Sequence, residues 1–559
     1  MTRARLGALA LLALPLTFQV AAGAQEGGGR EALVVRMPGA SFEELFAIRE
    51  VAGIARAGGL GLLANAGDVV TVAGADERVV ELDPALLGGL REAGTALRRE
   101  VTGVASGELL VIVLGGTSPE TVARKDELVG IAMASGPPSA LFPSAGDPGS
   151  LTSASTRRAG VVTGGDVRAT LNLFLGEVPY VAGELPAGEP IEVIEGPPPF
   201  ELHDRYLAHR RMSVPIGTAA AAYAGVTGLL AVAGLAFPAR VPASLRRAAG
   251  WACLSIPALA TGLLAAGHLP ELTYATVVPF VALVTAFGTM AFAPLASRSP
   301  VLVPVGIGVG VVAYFVLEAA LAWSAALTPL LGGSQLDGAR FYGLPNAFVG
   351  LLIGASLYVA QALPTRRGTA LVFGVALLAG LPFLGANLGG GVSLCAAAGL
   401  WFGLRERARL GPRRAVAAFV AVTAIGSAAI WLAHALSPLR THVTRFEEAA
   451  AGLGGLWSTF VDRLRVGLEL IERNPAALVP VLGLPIVLLL VLRPPDPLGA
   501  TLRRWPAWRD ALLVTVLAGA VAYLANDSGP AAAGLAFGLG LGGLLGVPLL
   551  PGAGKMEVS

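Results

Sequence analysis

LTYATVVPFVALVTAFGTMAFAPLA, residues 272–296, contains no Asp, Glu, Lys, Arg or His. An α-helix needs about 20 apolar residues to cross a hydrocarbon core about 30 Å thick, where no water is present to solvate a charge. This stretch is therefore expected to span a membrane. Further apolar runs lie on either side of it, at 213–236, 247–267, 300–326, 346–363, 369–384, 388–404, 414–436, 476–492, 510–525 and 530–550, which makes eleven predicted spans. Pro382 and Gly385 interrupt the stretch 369–404, which reads as two helices or a re-entrant pair.

Composition agrees. Hydrophobic residues make up 54% of the 559 and charged residues 14%, against about 25% charged in soluble domains. Many of the 74 glycines fall inside apolar runs, where small residues let membrane helices approach closely. The net charge of +2 gives no reason to expect a nucleic-acid partner. Cys253 and Cys395 sit far apart in apolar runs and match no metal-ligand spacing, so no metal, cofactor or disulfide framework is expected.

The N-terminal part reads differently. Arg3 and Arg5, the apolar stretch 6–20 and Ala22-Gly23-Ala24 form the pattern of a secretory signal peptide over residues 1–24, with Gln25 the first mature residue. Residues 26–195 then have the pattern of an α/β domain on the outer side of the membrane. Leu33-Val34-Val35, 109–114 (LLVIVL) and 131–134 read as buried strands; 41–57 reads as a helix with Ser41 as N-cap and Glu44 closing a capping box; 166–175 reads as a second, amphipathic helix. Strands alternating with helices predict a mainly parallel sheet. Gly115-Gly116-Thr117 offers a weak phosphate-cradle pattern. Residues 196–212, opening on Gly-Pro-Pro-Pro-Phe and carrying His203, Arg205, His209, Arg210 and Arg211, read as a linker with a solvated juxtamembrane helix.

Four segments of this domain resemble the alkaline phosphatase/sulfatase superfamily over about 150 residues. They are Val34-Val35-Arg36-Met37-Pro38-Gly39, Ile54-Ala55-Arg56-Ala57-Gly58, Ile112-Val113-Leu114-Gly115-Gly116 and the stretch 162–171 (VTGGDVRATL) ending in Leu175-Gly176. The resemblance implies a truncated copy of that α/β fold. It does not carry the chemistry, which needs two metal ions held by Asp and His. Pro38 stands where the first Asp ligand would be, Leu114 and Gly115 stand where the Asp-His pair would be, and no histidine precedes Leu202. A non-catalytic head is therefore expected. The run 151–158 (LTSASTRR) resembles a group of large bacterial membrane proteins that has no activity to carry over.

Charge sets the expected orientation. If the head is outside and the eleven runs alternate, the cytoplasmic ends carry Arg240, Arg246, Arg247, Arg298, Arg366, Arg367, Arg405, Arg407, Arg409, Arg413, Arg414, Arg493, Arg503, Arg504 and Arg509, with Lys555 in a cytoplasmic tail. The outer loops carry Arg340, Arg440, Arg445, Arg463, Arg465 and Arg473, mostly in the single long loop 437–475. This is the positive-inside pattern. In that loop Leu453, Leu456, Phe460, Leu464, Leu468 and Ile471 form the stripe of an amphipathic helix lying on the outer surface.

Three polar clusters break the apolar pattern at the outer ends of helices. They supply the candidate substrate-binding residues Asp337, Arg340, Tyr342 and Asn346, then Asn387 beside Gly389-Gly390-Gly391, then Asn526, Asp527 and Ser528. Arginine suits phosphate or carboxylate because its planar fork binds two oxygens. Glu318, Arg440, His442 and Arg445 form a second tier. Taken singly, each cluster also reads as an ordinary turn. These three clusters together resemble the same bacterial membrane group as the 151–158 run. His434 reads as a headgroup contact, and Trp505 and Trp508 beside Arg503, Arg504 and Arg509 as a cytoplasmic aromatic anchor. The combination predicts a multi-pass protein of the bacterial cell envelope in contact with membrane lipids. Its outer-face site would handle a lipid-linked, phosphate-bearing envelope precursor, with the membrane domain possessing transferase character or none. The alternatives are a transporter or flippase, an active phosphatase, and a scaffold without a small-molecule site.

Overall fold

The computed structural model describes residues 30–550 apart from 39, 65–76, 83, 88, 105–107, 116–127, 144–147, 176–187, 196–198, 300, 322–328, 332–341, most of 438–476, and 526–528. Two compact units divide these residues. The first runs from 30 to 199 without 154–158; the second runs from 200 to 550 and includes Ala154–Arg158.

The first unit is a sheet with helices on both faces. Strands β1 (Arg30–Met37), β2 (Gly59–Ala64), β3 (Glu77–Glu81), β4 (Glu108–Gly115), β5 (Val129–Gly136), β6 (Gly149–Ser153), β7 (Val161–Thr163) and β8 (Ile191–Ile194) are joined in the order β3-β1-β4-β5-β2-β6-β8, with β7 pairing β2. The pleat sorts alternate residues into two cores. Leu33, Val35, Met37, Leu109, Val111 and Val113 face α1 (Phe42–Ala47), α2 (Arg49–Ala57) and, beyond α3 (Pro84–Leu87), α4 (Leu90–Thr102). Ala32, Val34, Leu110, Ile112 and Leu114 face α5 (Gly164–Leu175) through Val167, Leu171 and Phe174. Each fully buried Val, Leu or Ile contributes about 1.5–3 kcal/mol relative to exposure.

The sheet is mixed rather than mainly parallel. β1 pairs β3 and β4 in parallel, but β5 runs antiparallel to both β4 and β2, and β8 antiparallel to β6. Strands buried on both faces read as continuous apolar runs whichever way they point, so their sequence carries no signal of direction. The predicted helix 41–57 is also two helices, because Ile48 is extended (φ −71°, ψ 115°) and its N–H closes onto the Leu45 carbonyl. The Ser41–Glu44 capping box forms as the sequence predicts. Ser41 donates its backbone N–H to Glu44 Oε2 at 2.9 Å, and this bond first, with the one between the two side chains, holds the Glu44 carboxyl below its ordinary pKa. Asp166, fully buried, anchors the closing strand-helix turn. Its carboxylate accepts from Ser153 Oγ at 2.8 Å, Thr163 N at 2.8 Å and Glu189 N at 3.0 Å.

The second unit is helical: α6 (Phe200–Ala236), α7 (Ala243–Ala266), α8 (Tyr274–Arg298), α9 (Leu302–Ala320), α10 (Asn346–Ala360), α11 (Thr365–Gly380), α12 (Leu388–Leu410), α13 (Pro412–Ala435), α14 (Leu478–Leu492), α15 (Asp496–Arg504), α16 (Pro506–Ala525) and α17 (Gly529–Leu541), which runs on into a wide turn at Gly542–Gly546. Each of the eleven apolar runs coincides with a helix. Among the described residues seven helices are long and apolar enough to cross a membrane, or eight if the bent pair at 529–549 counts as one; α10 and α14, with 15 residues each, are shorter apolar helices. Several such helices make this an integral membrane protein. The stretch 369–404 is two helices joined by the turn 381–387, and α6 begins at Phe200, so 200–212 continues into the first span.

α10 is the hub. It is apolar all round and almost wholly buried, packing on α9, α11, α12, α16 and α17. Glycine sets the distance of closest approach: a Cβ at Gly350 would lie 1.8 Å from the Ala532 carbonyl oxygen, and one at Gly354 2.3 Å from that of Ala536. Likewise α17 closes back onto α7, where a Cβ at Gly546 would meet the Gly250 carbonyl oxygen at 2.8 Å. Close backbone approach of this kind supplies the van der Waals contact that holds helices together in lipid.

Candidate functional site at one end of the bundle

Two turns interlock at the end of the bundle where α10 and α12 begin and α11 and α13 finish. Gly343, at φ 89°, brings its backbone against Gly385, and the Leu344 N–H donates to the Gly385 carbonyl at 2.7 Å. Asn387 ties the turns further. Its Nδ2 donates to Leu344 O and to Asn346 Oδ1, each at 2.9 Å, while its Oδ1 caps α12 by accepting from Gly390 N at 2.8 Å. Ala386 is held at φ 49°, a conformation a residue with a Cβ rarely adopts. The Tyr342 hydroxyl donates to Phe383 O at 3.0 Å. Thus three of the sequence-predicted site residues, Tyr342, Asn346 and Asn387, converge on one pair of turns. Asn387 directs both amide hydrogens and its oxygen at neighbouring protein groups.

The segment 154–158 joins this assembly. Arg157 Nη1 donates to Pro382 O at 2.9 Å, and its guanidinium lies 4.7 Å from the centre of the Tyr342 ring. Burial pushes the pKa of Arg158 down to about 10, partly opposed by the Tyr342 hydroxyl and the Glu318 carboxylate that face it. Glu318, only 2% exposed, sits in the last turn of α9 with Oε1 3.8 Å from His268 Nε2. That imidazole lies 3.1 Å from the Tyr314 hydroxyl. The site thus combines two adjacent arginines, a buried carboxylate, an imidazole and two phenols. Withdrawing a guanidinium from water strengthens its attraction for an anion, and its fork matches phosphate. One carboxylate and one imidazole fall short of the three protein ligands a catalytic zinc takes.

The arginine weighted in the sequence, Arg340, lies outside the described residues, and the arginines the structure places at these turns are Arg157 and Arg158. Those two entered the sequence reading only as part of a resemblance, and His268 and Tyr314 not at all. The available signal was two consecutive arginines with no acidic residue between Asp147 and Asp166. Asp337, Arg340, Asn526, Asp527, Ser528, Arg440, His442 and Arg445 lie outside the described residues, as do the expected signal peptide at 1–24, Gly116-Thr117 and most of the expected amphipathic helix at 453–471.

Four expectations are corrected. His434 is not a headgroup contact: it is 2% exposed, with Nε2 2.7 Å from the carbonyl oxygen of Gly380 at the end of α11. Trp508 is a core residue with no exposure rather than an interfacial anchor; only Trp505 is partly exposed. The stretch 203–211 is not a solvated helix. His203 and His209 are buried, His209 Nε2 lies 2.9 Å from Pro329 O, and Arg205 donates to the carbonyls of Gly267 and Leu269. At His434, His209 and Arg205 a polar side chain meets a backbone carbonyl at a helix end or turn, which costs less than leaving that carbonyl unpaired in an apolar setting. The mainly parallel sheet was the fourth. No protein family, no curated protein and no solved structure matches the chain.

Proposed function

We propose that this chain works in the bacterial cell envelope, with the Arg158–Glu318 end of its helical bundle facing outward and receiving the phosphate of a lipid-linked precursor. The observation that carries this reading is Arg158, a half-buried cation next to Arg157, whose guanidinium donates to Pro382 O at 2.9 Å at the end of a membrane bundle. Such a group is costly to keep and suits a phosphate ligand. The outward orientation is read from the arginine-rich opposite ends; the segment 154–158, part of the helical unit, supplies the two arginines, and the head is read as a degenerate phosphatase-like domain delivered by a signal peptide. Lipids that copurify with the protein test the reading. Phosphate-bearing lipid-linked species should be enriched over the bulk membrane and fall about tenfold in Arg158→Ala, with expression unchanged. If Arg158→Ala, Arg340→Ala and Asp527→Ala all retain these species and restore a deletion strain, the reading fails.

A second reading, a proton-coupled carrier or flippase, is favoured by one observation: Glu318 is a buried carboxylate within an apolar helix, close to an imidazole. It predicts pH-driven solute flux in proteoliposomes that Glu318→Gln abolishes.

A further inference from the structure

A cavity of about 900 Å³ opens along the side of the helical unit, walled by Ile216 and Tyr223 of α6, Trp251 and Leu263 of α7, and Val277 and Met290 of α8. It exists because α6 and α8 both pack on α7 while small residues, among them Ala220, Ala282 and Ala286, leave the space between them unfilled. From Val277 to Met290 it extends about 20 Å along α8, at 1.5 Å per residue. That is longer than one leaflet of a hydrocarbon core about 30 Å thick. All three walls are membrane-length apolar helices.

The hydroxyl groups inside it are already engaged. Tyr223 Oη lies 2.7 Å from Ser255 Oγ, Ser255 Oγ donates to Ala252 O at 2.8 Å, and the Thr285 and Thr289 hydroxyls donate to the carbonyls of Val281 and Thr285 at 2.7 and 2.6 Å. The groove therefore offers an occupant hydrocarbon surface and very little else, which suits an alkyl chain and not a polar solute. Its upper mouth is basic. The Tyr274 hydroxyl, one helical turn before Val278, donates to the Arg211 backbone carbonyl at 3.3 Å, and the Arg211 side chain is exposed. Around that mouth Arg205, Arg210 and Arg211 outnumber Asp204 and Glu271. A basic residue at the rim of a spanning helix attracts an anionic headgroup.

We infer that this groove seats one anionic glycerophospholipid, an acyl chain lying between α6 and α8 and the phosphate at Arg211. The inference is independent of the Arg158 site. It is tested on the full-length protein in nanodiscs of phosphatidylcholine doped with either phosphatidylglycerol or phosphatidylcholine carrying a photoactivatable chain, with crosslinks mapped by mass spectrometry. Phosphatidylglycerol should label α7 and α8 around Trp251, Val278 and Met290 about tenfold more than the exposed face of α13 at Val416, Val420 and Ile425. Ala220→Trp with Ala286→Trp, which fills the groove, should remove that excess and leave α13 unchanged. Arg211→Glu, at an exposed position where folding is undisturbed, should erase the preference for phosphatidylglycerol over phosphatidylcholine. Even labelling over the whole apolar surface, an unchanged preference in Arg211→Glu, or crosslinks between two copies of the chain through this face would each overturn it. Arg158→Ala should leave the labelling intact.

Discussion

Asn387 donates a side-chain N–H to the side-chain oxygen of Asn346 at 2.9 Å, joining the first turns of α12 and α10. Both residues are more than nine-tenths buried. Asn387→Ala removes a helix cap, about 1 kcal/mol, and takes a donor from two buried acceptors, about 1–3 kcal/mol each. The expected net loss is about 3 kcal/mol, read as a lower thermal midpoint in detergent. Asn387→Asp keeps the cap acceptor but turns a carboxylate toward two oxygens, so it should destabilise at neutral pH and recover as acid protonates it. A midpoint unchanged in both variants would remove the structural role argued for this amide.

The backbone between the two turns makes a paired prediction. Ala386 is at φ 49°, so Ala386→Gly relieves strain and should stabilise by about 0.5 kcal/mol after the entropic penalty of glycine. Gly343→Ala meets both φ 89° and the Gly385 carbonyl, 2.2 Å from the new Cβ. It should destabilise by about 3 kcal/mol or more. Opposite signs from neighbouring positions are the diagnostic, by thermal shift on the two purified variants.

Arg158 and Glu318 face one another electrostatically within the helical unit. Arg158→Gln deprives a buried carboxylate of a compensating charge, and Glu318→Gln does the reverse; each should lower stability. The double variant should lose less than the sum, with a coupling of about 1–3 kcal/mol. Additive losses would show that the two groups do not sense each other.

The Glu44 capping box supplies a pH signature. Its folded-state pKa lies below the ordinary value, so the folded state binds this proton less readily than the unfolded state does. The stabilisation is therefore complete above the ordinary carboxyl pKa and is lost as pH falls through the lower, folded value. Glu44→Gln should lower the neutral plateau and flatten this part of the acid unfolding profile, because the neutral amide lacks the stabilisation that the ionised carboxylate supplies. Ser41→Ala should lower the plateau as well.

Whether these residues could be read from the sequence depended on range. Periodicity and capping act over a few residues, so the Ser41 box, strands β1 and β4 and all eleven apolar runs were legible from local pattern. Strand direction in β5 was not, since it is decided by partners distant in the chain; nor was the extended Ile48, where the first helix closes locally onto the Leu45 carbonyl. The same holds for the site. Tyr342, Asn346 and Asn387 stood out as polar interruptions of apolar runs, whereas the Arg157–Pro382 bond links positions no local window contains. His434 and Trp508 misled for a related reason: an amphipathic side chain near a helix end looks interfacial until the helix that buries it is known.

The contact between Gly250 and Gly546 bears on how the protein is made. During synthesis α7 is complete long before α17 leaves the ribosome, so its Gly250 face must wait among lipids or insertion chaperones for a partner encoded near the far end of the chain. High sequence separation of this kind slows assembly and prolongs exposure of unfinished surfaces. Nascent chains stalled before residue 542 should therefore be far more sensitive to membrane proteases than chains stalled just after residue 550.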